Sequence, residues 1–322
     1  MTEYQDLERA FHPQSVAIVG VPRSEGNHPP GYTGNTFLSL LQKANFEGRI
    51  YPVNPYASVI AGLKAYPSVK AIPEPLDLVI VTVPATAVPQ VLEDCIAAKA
   101  VNVHIATAGF SETGEAVGRE IEARVREIAL RGSLRLVGPN CLGYHVPSAR
   151  MQMYDNIILA QGPVAFVSQS GGHGQAYVRL GPSFGIGFSK VISYGNALIM
   201  DCTYFLEYLA TDPETQVICM YLEGVKDGRK LTRLVNQIGP SKPVIIWKGG
   251  ITASGARATA THTSSLAGDR EVWNAFFKQS GAIQVGSIEE MADVTMTLLQ
   301  LRPSLGARLA VFGGGGGNNV AT

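Results

Sequence analysis

The chain has 322 residues, 46% hydrophobic and 16% charged, and its 26 basic and 26 acidic side chains leave no formal net charge. That composition supplies a well-buried core and, at this length, favours two domains. Balanced charge excludes a global attraction to nucleic acid or to an anionic membrane, so any anion site has to be local.

Cys95, Cys141, Cys202 and Cys219 are scattered, with no C-x-x-C pair and no His/Cys cluster at ligand spacing. A reducing cytoplasm and no bound metal are the expectation. The stretch Met1 to Phe11 is polar and acidic, and no apolar run reaches the roughly 18 residues of a membrane span. The chain is expected to be neither exported nor inserted.

In chain order, short Val- and Ile-rich runs alternate with longer helical patterns, as in βαβ units around a parallel sheet. The first series predicts strands at 15–20, 49–53, 76–83, 102–107 and 134–137, with helices near 35–43, 86–98 and 114–131. Each strand runs into a turn: Gly20, Asn54-Pro55, Pro84-Ala85, Ala108-Gly109 and Gly138-Pro139-Asn140. Strand ends are where doubly wound sheets bind ligands, so residues 1–145 are expected to form a Rossmann-like domain. A nicotinamide site is disfavoured. The turn from Gly20 to Gly26 lacks G-x-G-x-x-G spacing, and Val53-Asn54-Pro55 lacks the acid that holds a ribose hydroxyl. The loop Gly31-Tyr-Thr33-Gly34-Asn35 offers backbone N–H groups and the Thr33 hydroxyl to a phosphate; a plain tight turn is the competing reading.

After a less regular linker at 144–162, a second series predicts strands at 164–168, 188–193, 217–221, 243–247 and 282–285. Its helices fall near 172–181, 202–211, 227–238, 269–279 and 288–300. This is the pattern of a flavodoxin-like doubly wound domain over 160–302. A further strand, Arg308 to Phe312, runs into Gly313 to Gly317, so 307–322 reads as the truncated start of a third α/β unit or as a glycine tail.

Three features carry chemistry. Ser168-Gln169-Ser170-Gly171-Gly172 joins a strand to a helix, where small residues, hydroxyls and a helix N-terminus make a phosphate cradle without a lysine; simple N-capping by a serine is the alternative. Glu223 ends the strand beginning at Val217, where a carboxylate would face the same crevice, unless it is a solvated turn residue. His262 lies in a run of Gly, Ala and hydroxyl residues from Ser254 to Gly268 that has almost no apolar anchor. Such a loop presents a nucleophilic imidazole and lets it move, with Gly249-Gly250 and Gly255 as hinges. A loop histidine with no role fits the loop alone equally well.

Together these stretches resemble the NDP-forming acyl-CoA synthetases, relatives of the succinyl-CoA synthetase α subunit. Further matches are Gly195-Asn196, Phe205-Leu-Glu-Tyr-Leu209, Tyr221-Leu-Glu-Gly224 with Asp227-Gly-Arg229, and, in the first domain, Tyr51-Pro-Val-Asn-Pro55, Thr107-Ala-Gly-Phe110 and Gly138-Pro-Asn-Cys-Leu-Gly143. The resemblance implies that His262 is phosphorylated, that Glu223 is its carboxylate partner, and that Ser168 to Gly172 opens the helix receiving the phosphoryl group. It implies that CoA is surrounded by Gly20, Arg23, Thr33, Gly34, Asn54, Pro55, Val83, Pro84, Thr107, Ala108, Gly109, Asn140 and Cys141. It further implies an acyl phosphate intermediate, a Mg-nucleotide held on a partner ATP-grasp subunit or domain, and an oligomeric assembly. This chain has no G-x-x-x-x-G-K-[ST] loop of its own.

Several stretches depart from the family pattern. Gly172 and His173 stand where relatives have other small or apolar residues, Ser264 replaces a glycine, the run Ala197 to Met200 lacks an acid that many relatives carry, the Gly31 to Gly34 loop is longer, and no lysine closely follows Asn54-Pro55. His12, His28, His104 and His145 have no paired acid in view and read as structural or solvated, and the absence of G-x-S-x-G disfavours a serine hydrolase. A CoA-binding regulatory module without turnover is the alternative function.

Overall fold

The computed structural model describes residues 3–23, 33–250, 269–301 and 306. The first sheet contains β1 (Ser15–Val19), β2 (Arg49–Val53), β5 (Leu78–Val81), β6 (Asn102–Ile105) and β7 (Arg135–Val137), all parallel, in the order β2-β1-β5-β6-β7. A small hairpin, β3 (Val59–Ile60) with β4 (Leu63–Lys64), follows β2. Helix α2 (Gly34–Lys43) covers one face, while α3 (Val88–Ala97) and α4 (Ala116–Arg131) pack together on the other.

The second sheet runs β13-β12-β11-β9-β10-β8. Its parallel strands are β9 (Gln161–Ser168), β10 (Phe188–Ser193), β11 (Val217–Leu222), β12 (Val244–Lys248) and β13 (Ile283–Val285). Strand β8 (Gly143–His145) joins its edge antiparallel to β10. Helices α5 (Gly171–Leu180) and α9 (Ile288–Gln300) cover one face; α6 (Cys202–Thr211), α7 (Gly228–Ile238) and α8 (Arg270–Ser280) cover the other. Among the described residues no helix is long and apolar enough to cross a membrane.

Counting parallel strands in chain order, both sheets read 2-1-3-4-5, the flavodoxin arrangement. Its successive crossovers leave a crevice between strands one and three. Those pairs are β1/β5 and β9/β11, and they locate both functional regions below. β1, β5, β10 and β11 are buried along their whole length, because helices cover both faces; in β10 the buried Lys190 is matched by Asp212 and Glu214.

Helix α1 (Glu3–Phe11) was not anticipated from its polar composition. Leu7, Ala10 and Phe11 are fully buried, and Phe11 packs edge-on against Tyr144 and tilted against Tyr208, each 4.9 Å between ring centres. The stretch expected to be an irregular linker is likewise core: Met151, Met153 and Tyr154 are fully buried. One apolar cluster therefore joins α1 and α2 of the first unit to α6 and α7 of the second. The two sheets are held as one body, with residues 143–145, expected in the first domain, serving the second sheet.

The loop after β10 completes the joint. Asn196 N donates to Pro139 O (3.0 Å), Leu198 N to Gly138 O (2.9 Å) and Met200 N to Leu136 O (3.2 Å). Gly195 lies so close to the 138–140 turn that a Cβ would stand 2.3 Å from Asn140 O, so only glycine fits. The apolar Ala197 to Met200 run is thereby laid along the first domain.

Candidate functional site

At the second switch point the turn after β9 is built from polar side chains that bond to one another. Gln169, 3% exposed, accepts from the backbone N–H of Glu223 (2.9 Å) and of Gly224 (3.1 Å) through one oxygen, tying the end of β11 to the end of β9. Ser168, fully buried, donates its hydroxyl to Ser170 O at 2.6 Å. That proton is committed to the turn, so Ser168 is not the phosphate donor expected of it. Ser170 is the N-cap of α5 and accepts from His173 N (3.4 Å), which leaves its own O–H free to donate. The donors at the cradle are then the Ser170 hydroxyl and the first N–H groups of α5 at Gly171 and Gly172, where the helix dipole adds partial positive charge.

Glu223 is buried at 4% exposure, not solvated. Alternation along the strand turns it to the same side as Tyr221, and its carboxylate accepts from the Tyr221 hydroxyl. Burial and that carboxylate hold the phenol well above its ordinary pKa. Lys248, ending β12, sends its ammonium to Glu223 O (2.9 Å) and to Gly249 O. Burial lowers its pKa to about 8, against a raising contribution from Glu223. His173 stacks on Tyr221 at 4.2 Å and 24° and meets Trp247 edge-on at 4.7 Å. Sequence reasoning missed Tyr221 and Lys248 as members of this site. The available signal was a polar group closing each of two adjacent apolar strands.

Gly249 lies against the Tyr221 hydroxyl, and Gly250 adopts φ +73°. His262, Gly255 and the rest of 251–268 lie outside the described residues, as do His28, Gly31 and the expected third unit at 307–322 apart from its flanking residue Gly306.

At the first switch point a cavity of about 180 Å³ is lined by Gly20, Asn54, Pro55, Ser68, Val83 and Asp94, among others. Gly20 has φ +95°, and a Cβ there would meet Thr82 Oγ1 at 2.9 Å, so the chain passes close to its neighbour strand only as glycine. Asn54 donates to Val21 O (2.8 Å) and accepts from Tyr56 N (2.8 Å), holding two strand-end loops together. Arg23, Pro55, Pro84 and Ala108 are exposed around this rim.

The remaining positions expected around CoA play structural parts as well. Thr33 and Thr36 form a reciprocal capping box at the start of α2, and Gly34 sits where a Cβ would strike Val21. Thr107 donates to Val83 O at 2.7 Å. The Gly109 N–H is taken by Glu112 (2.6 Å), whose other oxygen accepts from Asn196 Nδ2 (2.6 Å) across the domain joint. Asn140, at φ +57°, reaches Asn196, whereas Cys141 is turned into the core with its thiol pKa pushed up by burial. The structure thus brings Gly20, Asn54, Pro55 and Val83 around one cavity and leaves Cys141 contributing backbone alone at the surface of the joint.

His104 and His145 are fully buried and structural. His12 does have paired acids, contrary to expectation: it lies 2.8 Å from Glu8 and 3.5 Å from Glu214, linking α1 to the second unit.

Residues 14–147 match the family model described as a CoA binding domain, and 161–298 match that of a succinyl-CoA ligase like flavodoxin domain. Acetate–CoA ligase [ADP-forming] II subunit alpha of Pyrococcus furiosus is 39% identical over 98% of this chain and 67% of its own. The chain belongs to the ADP-forming acetate–CoA ligase family. Within that family, acetate–CoA ligase [ADP-forming] I of Archaeoglobus fulgidus is 41% identical over 98% of this chain but only 44% of its own length. This chain therefore spans less than half of the longer relative and about two thirds of the subunit. Among solved structures, the apo form of the dinucleotide forming acetyl-coenzyme A synthetase 1 of Ca. Korarchaeum cryptofilum superposes with a TM-score of 0.88 at 35% identity, over 98% of this chain and 67% of that one.

Proposed function

We propose that this chain is the CoA-binding and phosphohistidine-carrying part of an ADP- or GDP-forming acyl-CoA ligase. The observation that carries the reading is the β9/β11 crevice. There a buried carboxylate, Glu223, faces the N-terminal turn of α5 across a side-chain network fixed by Gln169.

Chemistry follows in three balanced transfers. A phosphate oxygen attacks the thioester carbonyl and the C–S bond breaks, giving acyl phosphate and the CoA thiol. A neutral nitrogen of His262 then attacks phosphorus and the P–O bond to the acyl group breaks, releasing carboxylate. Finally the phosphoryl group passes from the imidazole to a nucleoside diphosphate. Dividing the reaction around a covalent carrier replaces one difficult step by easier ones.

Each described residue has a part. Ser170 O–H and the N–H groups of Gly171 and Gly172 neutralise the transferring phosphoryl oxygens. Glu223 accepts from the far ring nitrogen of His262 and stabilises the cationic phospho-imidazole. The cavity at Gly20, Asn54 and Val83 takes the nucleotide end of CoA, and the thiol end runs towards the joint between the sheets. Nucleotide and Mg²⁺ are held by an ATP-grasp subunit or domain, as the family supplies elsewhere. The assembly is an oligomer working in the cytoplasm.

Incubation with an acyl-CoA and ³²P-phosphate, with the ATP-grasp partner present, labels the wild type with an acid-labile, alkali-stable phosphate. His262→Ala takes up no label while CoA still raises its melting temperature. Equal labelling of the two proteins would overturn the assignment.

A further inference from the structure

Glu223 is engaged by three side chains at three different atoms. Gln169 accepts from its N–H at 2.9 Å, Lys248 donates to its carbonyl oxygen at 2.9 Å, and the Tyr221 hydroxyl donates to its carboxylate. We propose that Tyr221 is a positioning residue for phosphoryl transfer, whose hydroxyl sets the rotation of the Glu223 carboxylate and so the direction in which it accepts from the imidazole of His262. The inference rests on the ligase reading above and adds a residue that this reading does not use.

The first argument is the division of tasks. Gln169 and Lys248 bond to main-chain atoms of Glu223, so they fix where its side chain starts. Rotation along that side chain is a separate freedom. A carboxylate that sampled several rotamers would meet an imidazole in the productive geometry for only part of the time. The Tyr221 hydroxyl acts on the carboxylate itself.

The second is that the tyrosine ring is clamped. Tyr221 is 7% exposed; His173 stacks on it at 4.2 Å and 24°, and Trp247 meets it at 4.9 Å and 67°. His173 and Trp247 also touch edge-on at 4.7 Å, which closes a cluster of three rings across α5, β11 and β12. Close packing on several sides brings the hydroxyl to one place. His173 belongs to the first turn of α5, whose N-terminus is the phosphoryl cradle. The same cluster therefore sets the carboxylate relative to the cradle.

The main chain makes room for this contact. A Cβ on Gly249 would stand 2.5 Å from the Tyr221 hydroxyl oxygen, while Gly249 N donates to Leu222 O at 2.9 Å. Glycine at 249 is thus required by the approach of the hydroxyl to the end of β12.

Tyr221 stays a donor throughout. Burial and the carboxylate hold its phenol well above the ordinary pKa, so near neutral pH the proton remains on the oxygen. It acts through Glu223 and is neither an acid nor a base in the transfer.

The test is the rate at which acyl-CoA and ³²P-phosphate label His262, with the ATP-grasp partner present, in wild type, Tyr221→Phe, Glu223→Ala and the double variant. Phenylalanine keeps the ring and its stacking and removes the hydroxyl alone. We expect Tyr221→Phe to lower the maximal rate roughly 10- to 100-fold, as for a reacting group that has lost its orientation. Half-saturating acyl-CoA and phosphate should stay within about twofold. In Glu223→Ala, which has no carboxylate to orient, the same change should cost less than about twofold. A CoA-induced rise in melting temperature shows that each protein is folded. Should Tyr221→Phe lack that rise, Gly249→Ala takes its place in the same cycle, since its Cβ displaces the hydroxyl and leaves the ring. Labelling at the wild-type rate overturns the inference. So do losses that multiply in the double variant, or higher half-saturating concentrations at an unchanged maximal rate, because the ring would then serve packing or substrate binding. If the wild type takes no label, the ligase reading itself fails and the part given to Tyr221 falls with it.

Discussion

The two sheets share one strand order and one kind of switch point, yet they finish it in opposite ways. In the first, the strands run out into left-handed backbone at Gly20 (φ +95°), Gly109 (φ +105°) and Gly138 (φ +97°), and Pro55, Pro84 and Ala108 stand exposed. In the second, Ser168, Gln169 and Glu223 are 0%, 3% and 4% exposed, their bonds made within the turns of β9 and β11. An open rim of backbone suits a long ligand that spreads its affinity over many contacts. A buried polar network keeps its dipoles fixed for one small, transferring charge. The same topology thus yields an open rim in one sheet and a closed polar network in the other.

The sharpest break in that comparison is Glu223→Gln. It keeps shape and removes charge, so labelling of His262 should slow by about 10²- to 10³-fold, as for a lost electrostatic partner, while CoA binding by calorimetry stays within twofold. Parallel losses in both would mean that the two ends are not separate.

Acid sensitivity comes next. Burial lowers the pKa of His104, on β6 of the first sheet, to about 4, and that of His145, on the edge of the second, to about 3. Both are neutral in the folded protein when the unfolded chain, near pH 6.5, begins to bind protons. Stability is therefore undiminished above that pH and is lost as pH falls from 6.5 towards 4. One pKa unit is worth about 1.4 kcal/mol, so His104 alone accounts for about 3 kcal/mol. Urea midpoints should fall less between pH 7 and pH 4.5 in His104→Phe than in the wild type; an identical fall would remove His104 from the account.

Gln169→Leu strands a buried N–H at Glu223 and a part-buried one at Gly224, and should cost about 2 kcal/mol in chemical unfolding. A cost below 0.5 kcal/mol, roughly the scale of an ordinary surface substitution, would show that water enters the network. The smallest effect contrasts the two caps. Ser170→Ala and Thr33→Ala should each cost about 1 kcal/mol, yet only the first should also slow labelling, because only that cap faces the cradle.

Much of this arrangement was legible from the chain. Doubly covered strands read as unbroken apolar runs, so β5 at Leu78–Val81 and β11 at Val217–Leu222 fell on the runs that marked them. Turn chemistry marked the strand ends, and Ser170 and Glu223 stood out as polar groups closing apolar strands. What stayed hidden depends on partners distant in sequence. The polar helix α1 is stable because Phe11 finds Tyr144 and Tyr208, and the supposed linker is core because Met151 and Met153 fill the joint. The role of Ser168 also could not be read, since a hydroxyl spends its single proton on whichever acceptor the turn brings nearest.

Sequence by itself determined the two α/β units, their order and the polar residues at their strand ends, because hydrophobic period and turn preference are local properties. Only the tertiary structure decided that Gln169 meets Glu223 and that an apolar loop of the second unit is pinned to the first by Gly138, with a cavity left beside it. Those contacts arise from crossover direction and from the packing of two sheets on one core, which no short window of residues encodes.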